Sequence, residues 1–146
     1  MAMNSISFHN QGVNTKTPSK RFLKAWIKEF VSNHKKKVGE LAFVFCDDEK
    51  ILEVNRNFLQ HDYYTDIITF DYCEGDIVSG DIFISVERVT ENAIIHSSEY
   101  NTELLRVIAH GVLHLIGFQD KNKNDKDEMS KNEDLCISLF FTKFAE

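Results

Sequence analysis

TELLRVIAHGVLHLIG, spanning Thr102 to Gly117, decides how the rest of this 146-residue chain is arranged. Leu, Val, Ile and Ala occupy nearly every side of the cylinder that a helix would form here. A helix that is apolar all round has to be enclosed by other elements, so Thr102–Ile116 predicts a central buried helix. Gly117 supplies the stop, because the left-handed backbone that closes a helix costs glycine nothing. Two polar rings interrupt the apolar segment. His110 and His114 are four residues apart, one turn along the same face, so both imidazoles can point at one ion.

Past Gly117 the chain can bend back, and Asp120 then reaches the same ion from the other side. Two histidines and one carboxylate leave a tetrahedral zinc with one free position for water, the arrangement of a hydrolytic site. A structural zinc would take four protein ligands, and no Cys lies nearby. One zinc per chain is the expectation. Histidines on an apolar helix also occur as core residues bonded to a carbonyl, but two such rings need partners, and one metal satisfies both. Asp125 and Asp127 share the acidic loop and are alternative third ligands. The spacing His-x-x-x-His-x-x-Gly-x-x-ligand is zincin-like, and is the layout of metzincin peptidases. Those enzymes carry their general base directly after the first His, where this chain has Gly111. The spacing therefore indicates a metal, and the glycine indicates a different reaction.

Outward from this helix the elements alternate. Ile6–His9 reads as a first strand. Thr17 reads as an N-cap before Pro18, leading a helix with Phe22, Leu23, Trp26, Ile27, Phe30 and Val31 at helical spacing and an end near His34. Leu41–Cys46 (LAFVFC) reads as a buried strand, and Asp47 as the cap of a helix through Ile51, Leu52, Val54, Asn55 and Phe58. Gln60–Thr65 has no period and reads as a loop. Ile67–Tyr72 and Asp81–Ile84 read as strands joined through Glu74-Gly75-Asp76 into an antiparallel hairpin. Ser85–His96 reads as a further helix, Asp120–Asp127 as a charged loop, and Leu135 to Phe144 as a last helix. The sum is an α+β (mixed α/β) domain over residues 1–146. A small, mostly parallel or mixed four-stranded sheet is packed by about five helices around a central metal-bearing one.

Composition narrows the function. One Pro and six Gly argue against linkers, and the net charge of −6 excludes a bulk electrostatic grip on nucleic acid. A local basic patch remains open: Lys20, Arg21, Lys24 and Lys28 crowd one helix, Lys35–Lys37 follow it, and Lys121, Lys123 and Lys126 flank the proposed metal site. Solvated faces are the ordinary reading of such clusters. No stretch approaches the roughly twenty apolar residues of a membrane span, and MAMNSISFHN has no signal-peptide pattern. Cys46, Cys73 and Cys136 are widely spaced, as expected of reduced thiols in a cytoplasmic protein.

The segment HGVLHLIGFQD, His110–Asp120, resembles the H-G-x-L-H-L-x-G-Y-D-H signature of the YbeY family, bacterial metal-dependent endoribonucleases of ribosomal RNA maturation and ribosome quality control. Thr65–Phe70 (TDIITF) is similar to that family's T-D-V-L-S-F, and Gly80–Ser85 (GDIFIS) to its G-D-I-x-I-S. Asn55 and Asp62 hold the family's offsets before Thr65, and the resemblance runs from Leu52 over most of the remaining chain. It implies cleavage of phosphodiester bonds in single-stranded RNA, with ribosomal RNA and the ribosome as partners. Two positions depart from the pattern. The family's third ligand is His where Asp120 stands, which adds negative charge, and Leu59 stands where the family carries Arg. With that Arg absent, Arg106, four before His110, is the candidate cation for catalysis and phosphate binding. Pairing with Glu103 is its ordinary alternative, and Lys121 is a second candidate. Asp66 and Asp81 either orient a ligand imidazole or serve turns and caps. Tyr63 and Tyr64 either stack on bases or pack the loop. The competing functions are a zincin-like metallopeptidase, a ribosome-associated metal-binding module with little catalysis, and a non-haem iron site.

Overall fold

In the computed structural model residues 5–59 and 65–144 are described. The elements in chain order are β1 (Ser5–Asn10), α1 (Lys20–Asn33), β2 (Lys37–Cys46), α2 (Asp48–Val54), β3 (Ile67–Asp71), β4 (Ile77–Ser85), α3 (Val86–Ile95), α4 (Tyr100–Ile116) and α5 (Lys123–Lys143). The sheet order is β1-β2-β4-β3; β2 runs parallel to both neighbours, and β3 pairs antiparallel with β4. This is the mixed four-stranded sheet with five helices expected from the sequence, an α+β fold.

Side-chain alternation along the strands divides the interior in two. Leu41, Phe43, Phe45, Ile82 and Ile84 join the large cluster under α1, α4 and α5. Cys46 and Ile68 turn to the opposite face and pack with Ile51 and Val54 of α2 in a smaller cluster. From Phe43 to Cys46 strand β2 is buried on both faces, which is why the end of its sequence reads as one continuous apolar run. Helix α4 lies over β3 and β4, and ten of its residues are buried.

Several boundaries differ from the sequence reading. Ser19 caps α1, accepting from the Phe22 amide at 3.4 Å, while the Thr17 hydroxyl donates to the Pro18 carbonyl. Pro18 therefore precedes the cap and is outside the first turn. The period from Ile51 to Phe58 is broken at Asn55, where α2 passes into a π-helical turn over Asn55–Leu59. Strand β2 starts at Lys37 and β4 at Ile77, because the two pair with each other from those residues onward. The charged loop expected over Asp120–Asp127 is mostly helix. Asn122 caps α5 by accepting from the Asp125 amide at 2.8 Å, and the helix runs unbroken to Lys143. Met129, Glu133, Cys136, Ile137 and Phe140 form its buried side, so the acidic and basic residues before Met129 are simply its solvent face. No helix among the described residues is long and apolar enough to cross a membrane.

Candidate metal centre

Helix α4 carries His110 and His114 on its last two turns. Gly117 ends it with φ 129° and bonds its amide to the Leu113 and His114 carbonyls. The chain then doubles back, and Asp120 Oδ2 comes to 3.5 Å from His110 Nε2 and 3.3 Å from His114 Nε2. The two Nε2 atoms are 3.0 Å apart, and one donor atom from each of the three residues lies within 4.8 Å of the others. Sequence spacing and structure thus bring together the same three side chains.

The hydrogen positions follow from the partners of the other ring nitrogens. His114 Nδ1 faces the Phe118 carbonyl at 3.0 Å, and His110 Nδ1 faces a Glu133 carboxylate oxygen at 2.6 Å. A carbonyl and a carboxylate only accept, so both rings donate through Nδ1–H and keep their lone pairs on Nε2. Three electron-pair donors then converge with no hydrogen between the neutral rings. A small cation fits that donor set, and the composition His, His, Asp suits a divalent metal. The carbonyl-bonded histidine considered from sequence is also present, at His114, and it is what frees Nε2.

Glu133 was not indicated by the sequence as part of the site. It is 6 % exposed on α5 and sits among Met129, Cys136 and Ile137 on that helix's apolar side. A carboxylate in the middle of an apolar stripe is the available signal, and a last helix expected only from Leu135 onward leaves it outside that stripe. The imidazole partners are therefore Glu133 and the Phe118 carbonyl. Asp66 and Asp81 are not bonded to a ring nitrogen, since both Nδ1 atoms are already taken; Asp81 accepts from Tyr72 Oη at 3.3 Å. Burial works against a charge on His110, but Glu133, Asp66 and Asp120 outweigh it and raise the pKa above the ordinary value.

Arg106 points into a group of carboxylates and not toward the three donors. It lies 2.9 Å from Asp134, 3.5 Å from Glu133 and 3.7 Å from Glu103, which in turn contacts His96 Nδ1 at 3.1 Å. Burial disfavours its charge, yet Asp134, Glu103 and Glu133 together push its pKa up. Arg106 thus reaches the centre through Glu133. Lys121 is exposed next to Asp120, and Leu59 is exposed at the end of the π-helical turn. Asp62, Tyr63 and Tyr64 lie outside the described residues. A cavity of about 650 Å³ lies on the face of β1, β2 and β4 lined by Ser5, Glu40, Ser79 and Asp81, and none of the three donors lines it.

Gly111 explains why no base follows the first histidine. A Cβ there would lie 2.8 Å from Ile67 Cδ1 and 3.2 Å from Ile82 Cγ2. This is where α4 sits down on the sheet, so a glutamate would be driven between two isoleucines.

A helix-borne His-x-x-x-His pair, closed by a carboxylate beyond a glycine turn and laid over a mixed sheet, defines a protein with a metal-type hydrolase site lacking the peptidase base. The model of the family Endoribonuclease YbeY matches residues 5–140. An endoribonuclease YbeY of Phocaeicola vulgatus is 51 % identical over 134 residues, covering 92 % of this chain and 97 % of that one. Its counterpart in Porphyromonas gingivalis is 48 % identical over 137 residues, covering 94 % and 91 %. The solution structure of TM1509 from Thermotoga maritima superposes with a TM-score of 0.68 at 26 % identity, over 96 % of this chain and 91 % of that one. The chain belongs to the YbeY endoribonuclease family.

Proposed function

We propose that this protein is a zinc-dependent endoribonuclease that cuts single-stranded RNA during ribosomal RNA maturation and ribosome quality control in the cytoplasm. The observation that carries the reading is the convergence of His110 Nε2, His114 Nε2 and Asp120 Oδ2 in a chain of this family. These three residues would hold one zinc. A divalent cation there supplies Lewis-acid activation of water and positive charge for phosphoryl oxygens.

The chain's own groups supply the rest. The Phe118 carbonyl and Glu133 fix both rings with Nε2 inward. Gly111 carries no side chain that could act as a base, so this chain lacks the proton acceptor that a metzincin peptidase places directly after its first histidine. Arg106 is committed to Glu133 and Asp134 and supports the rings from behind. Lys121, exposed beside Asp120, is the remaining candidate cation for a phosphate.

The test is to incubate zinc-loaded and chelator-treated protein with a structureless RNA and, separately, with casein. RNA cleavage that needs zinc and disappears in His114→Ala supports the reading. Casein cleavage, or RNA cleavage that survives both treatments, overturns it.

A further inference from the structure

The solvent face of α1 carries a charge pattern that opposes the helix it belongs to. Lys20, Arg21, Lys24 and Lys28 are all exposed, and at 3.6 residues per turn they fall within an arc of about 100°. Lys20, Lys24 and Lys28 follow one another at the i,i+4 spacing, where like charges repel. Lys20 and Arg21 also occupy the first turn, which holds no acidic residue, and so face the positive end of the helix dipole. Glu29, the one acid of α1, is taken by Lys143 at 2.6 Å. Among the described residues none of the four cations forms an ion pair. In a chain of net charge −6 this stripe is not a by-product of general basicity.

The other side of α1 is closed. Leu23, Trp26, Ile27 and Val31 are fully buried, and Trp26 Nε1–H donates to the Cys136 carbonyl at 2.7 Å. A helix held in this way has no apolar face to lay into a bilayer, so its cations call for a soluble polyanion. The stripe also has a direction. At the C-terminal end of α1 the His34 ring meets the Phe118 ring edge-on, centroids 5.5 Å apart, and the Phe118 carbonyl is the group that holds His114. Exposed Lys35 follows. The cations thus lie along a helix of roughly 21 Å whose far end abuts the metal loop.

We propose that this face of α1 is a docking track for the phosphate backbone of single-stranded RNA, laying the strand toward His110, His114 and Asp120. The inference rests on RNA being the substrate. Each phosphate neutralised on the track releases counterions, so the contribution of the stripe is readable in the salt dependence of binding.

The experiment uses zinc-free full-length protein, so that binding is measured apart from any cleavage. A fluorescein-labelled unstructured 20-nucleotide RNA is titrated by anisotropy at several salt concentrations, with wild type and the triple variant R21Q/K24Q/K28Q. The variant should bind at least roughly tenfold more weakly at low salt. Its log–log salt slope should be shallower by about 2, three phosphates at ~0.7 each, with a melting temperature no lower than wild type, since like-charge repulsion is relieved, and with zinc affinity unchanged. Equal affinity and equal slope in the two proteins would overturn the track. So would a variant that keeps RNA binding but loses binding to phosphatidylserine–phosphatidylcholine vesicles, which would reassign the face to membranes. Wild-type protein that fails to cleave any RNA once zinc is added removes the enzymatic reading, while the anisotropy result still judges the stripe.

Discussion

His110 and His114 present their Nε2 atoms to each other across 3.0 Å, and in the neutral rings neither has a hydrogen to place between them. Each ring has already given its Nδ1–H away, one to Glu133 and one to the Phe118 carbonyl. Such a contact is repulsive until a cation enters it. Zinc at one hundred times its dissociation constant should therefore raise the stability of the fold by about 2.7 kcal/mol, and chelation should reverse this. His114→Ala should abolish the effect. Thermal denaturation followed by circular dichroism measures it, and a wild-type midpoint indifferent to zinc would refute the site.

Glu133 should matter to the metal although it is not among the three donors. Glu133→Leu removes the acceptor that fixes the His110 ring, and zinc affinity should drop by roughly 10–100-fold. Glu133→Gln keeps an acceptor oxygen without the charge and should lose less. Chelator competition gives the affinities, and ring nitrogen chemical shifts in the zinc-free protein give the His110 tautomer. Leucine and wild-type proteins with the same tautomer and the same affinity would exclude this role.

Protons and zinc compete for His110 Nε2, because Nδ1 is already committed to Glu133. With the His110 pKa raised, zinc affinity should begin to weaken on acidification at a pH above the ordinary histidine value of 6.5. The sign for the zinc-free protein is opposite. A group whose folded pKa is raised stabilises the fold below its unfolded pKa, and that gain is lost as pH rises through the folded value. Melting midpoints across pH 5–9 should therefore fall with pH without zinc, as far as His110 contributes, and rise with pH when zinc is present.

Restoring the peptidase residue should break the fold without creating a peptidase. Gly111→Glu would force a carboxylate against Ile67 and fully buried Ile82, at a cost of about 3 kcal/mol or more. Urea denaturation of the variant checks this. A variant of wild-type stability would show that α4 does not rest on the sheet at Gly111.

The three thiols should differ in reactivity. Burial pushes Cys46 and Cys136 up to about 12, with Asp47 adding to the first and Glu133 to the second. Cys73, half-buried, is raised by burial and by Asp71. Because the thiolate is the nucleophile, native protein at pH 8 should give one slowly reacting thiol with a disulfide reagent, and three after denaturation. Fast labelling of two or more native thiols would contradict the packing around Cys46 and Cys136.

The centre was legible to different depths. The i,i+4 spacing of His110 and His114 and the glycine stop before Asp120 are local, and local geometry carried over into the structure unchanged. Zinc as the ion is inferred from the chemistry of those residues, two imidazoles and a carboxylate. Arg106 shows where local reasoning ends. Its position four before His110 is correct, but Asp134 and Glu133, 28 and 27 residues further along the chain, decide what its guanidinium binds. Glu133 shows in the sequence only as a carboxylate within an apolar stripe, and its role comes from α5 packing across α4.

By itself the sequence determined the central helix, the hairpin, the covered strand and the pair of rings on one face. Each follows from a periodicity or a backbone preference acting over a few residues. Only the tertiary structure decided the tautomers, the reason for Gly111 and the company Arg106 keeps. These depend on which surfaces meet after the chain has closed on itself, and side-chain spacing along one element carries no record of its neighbours.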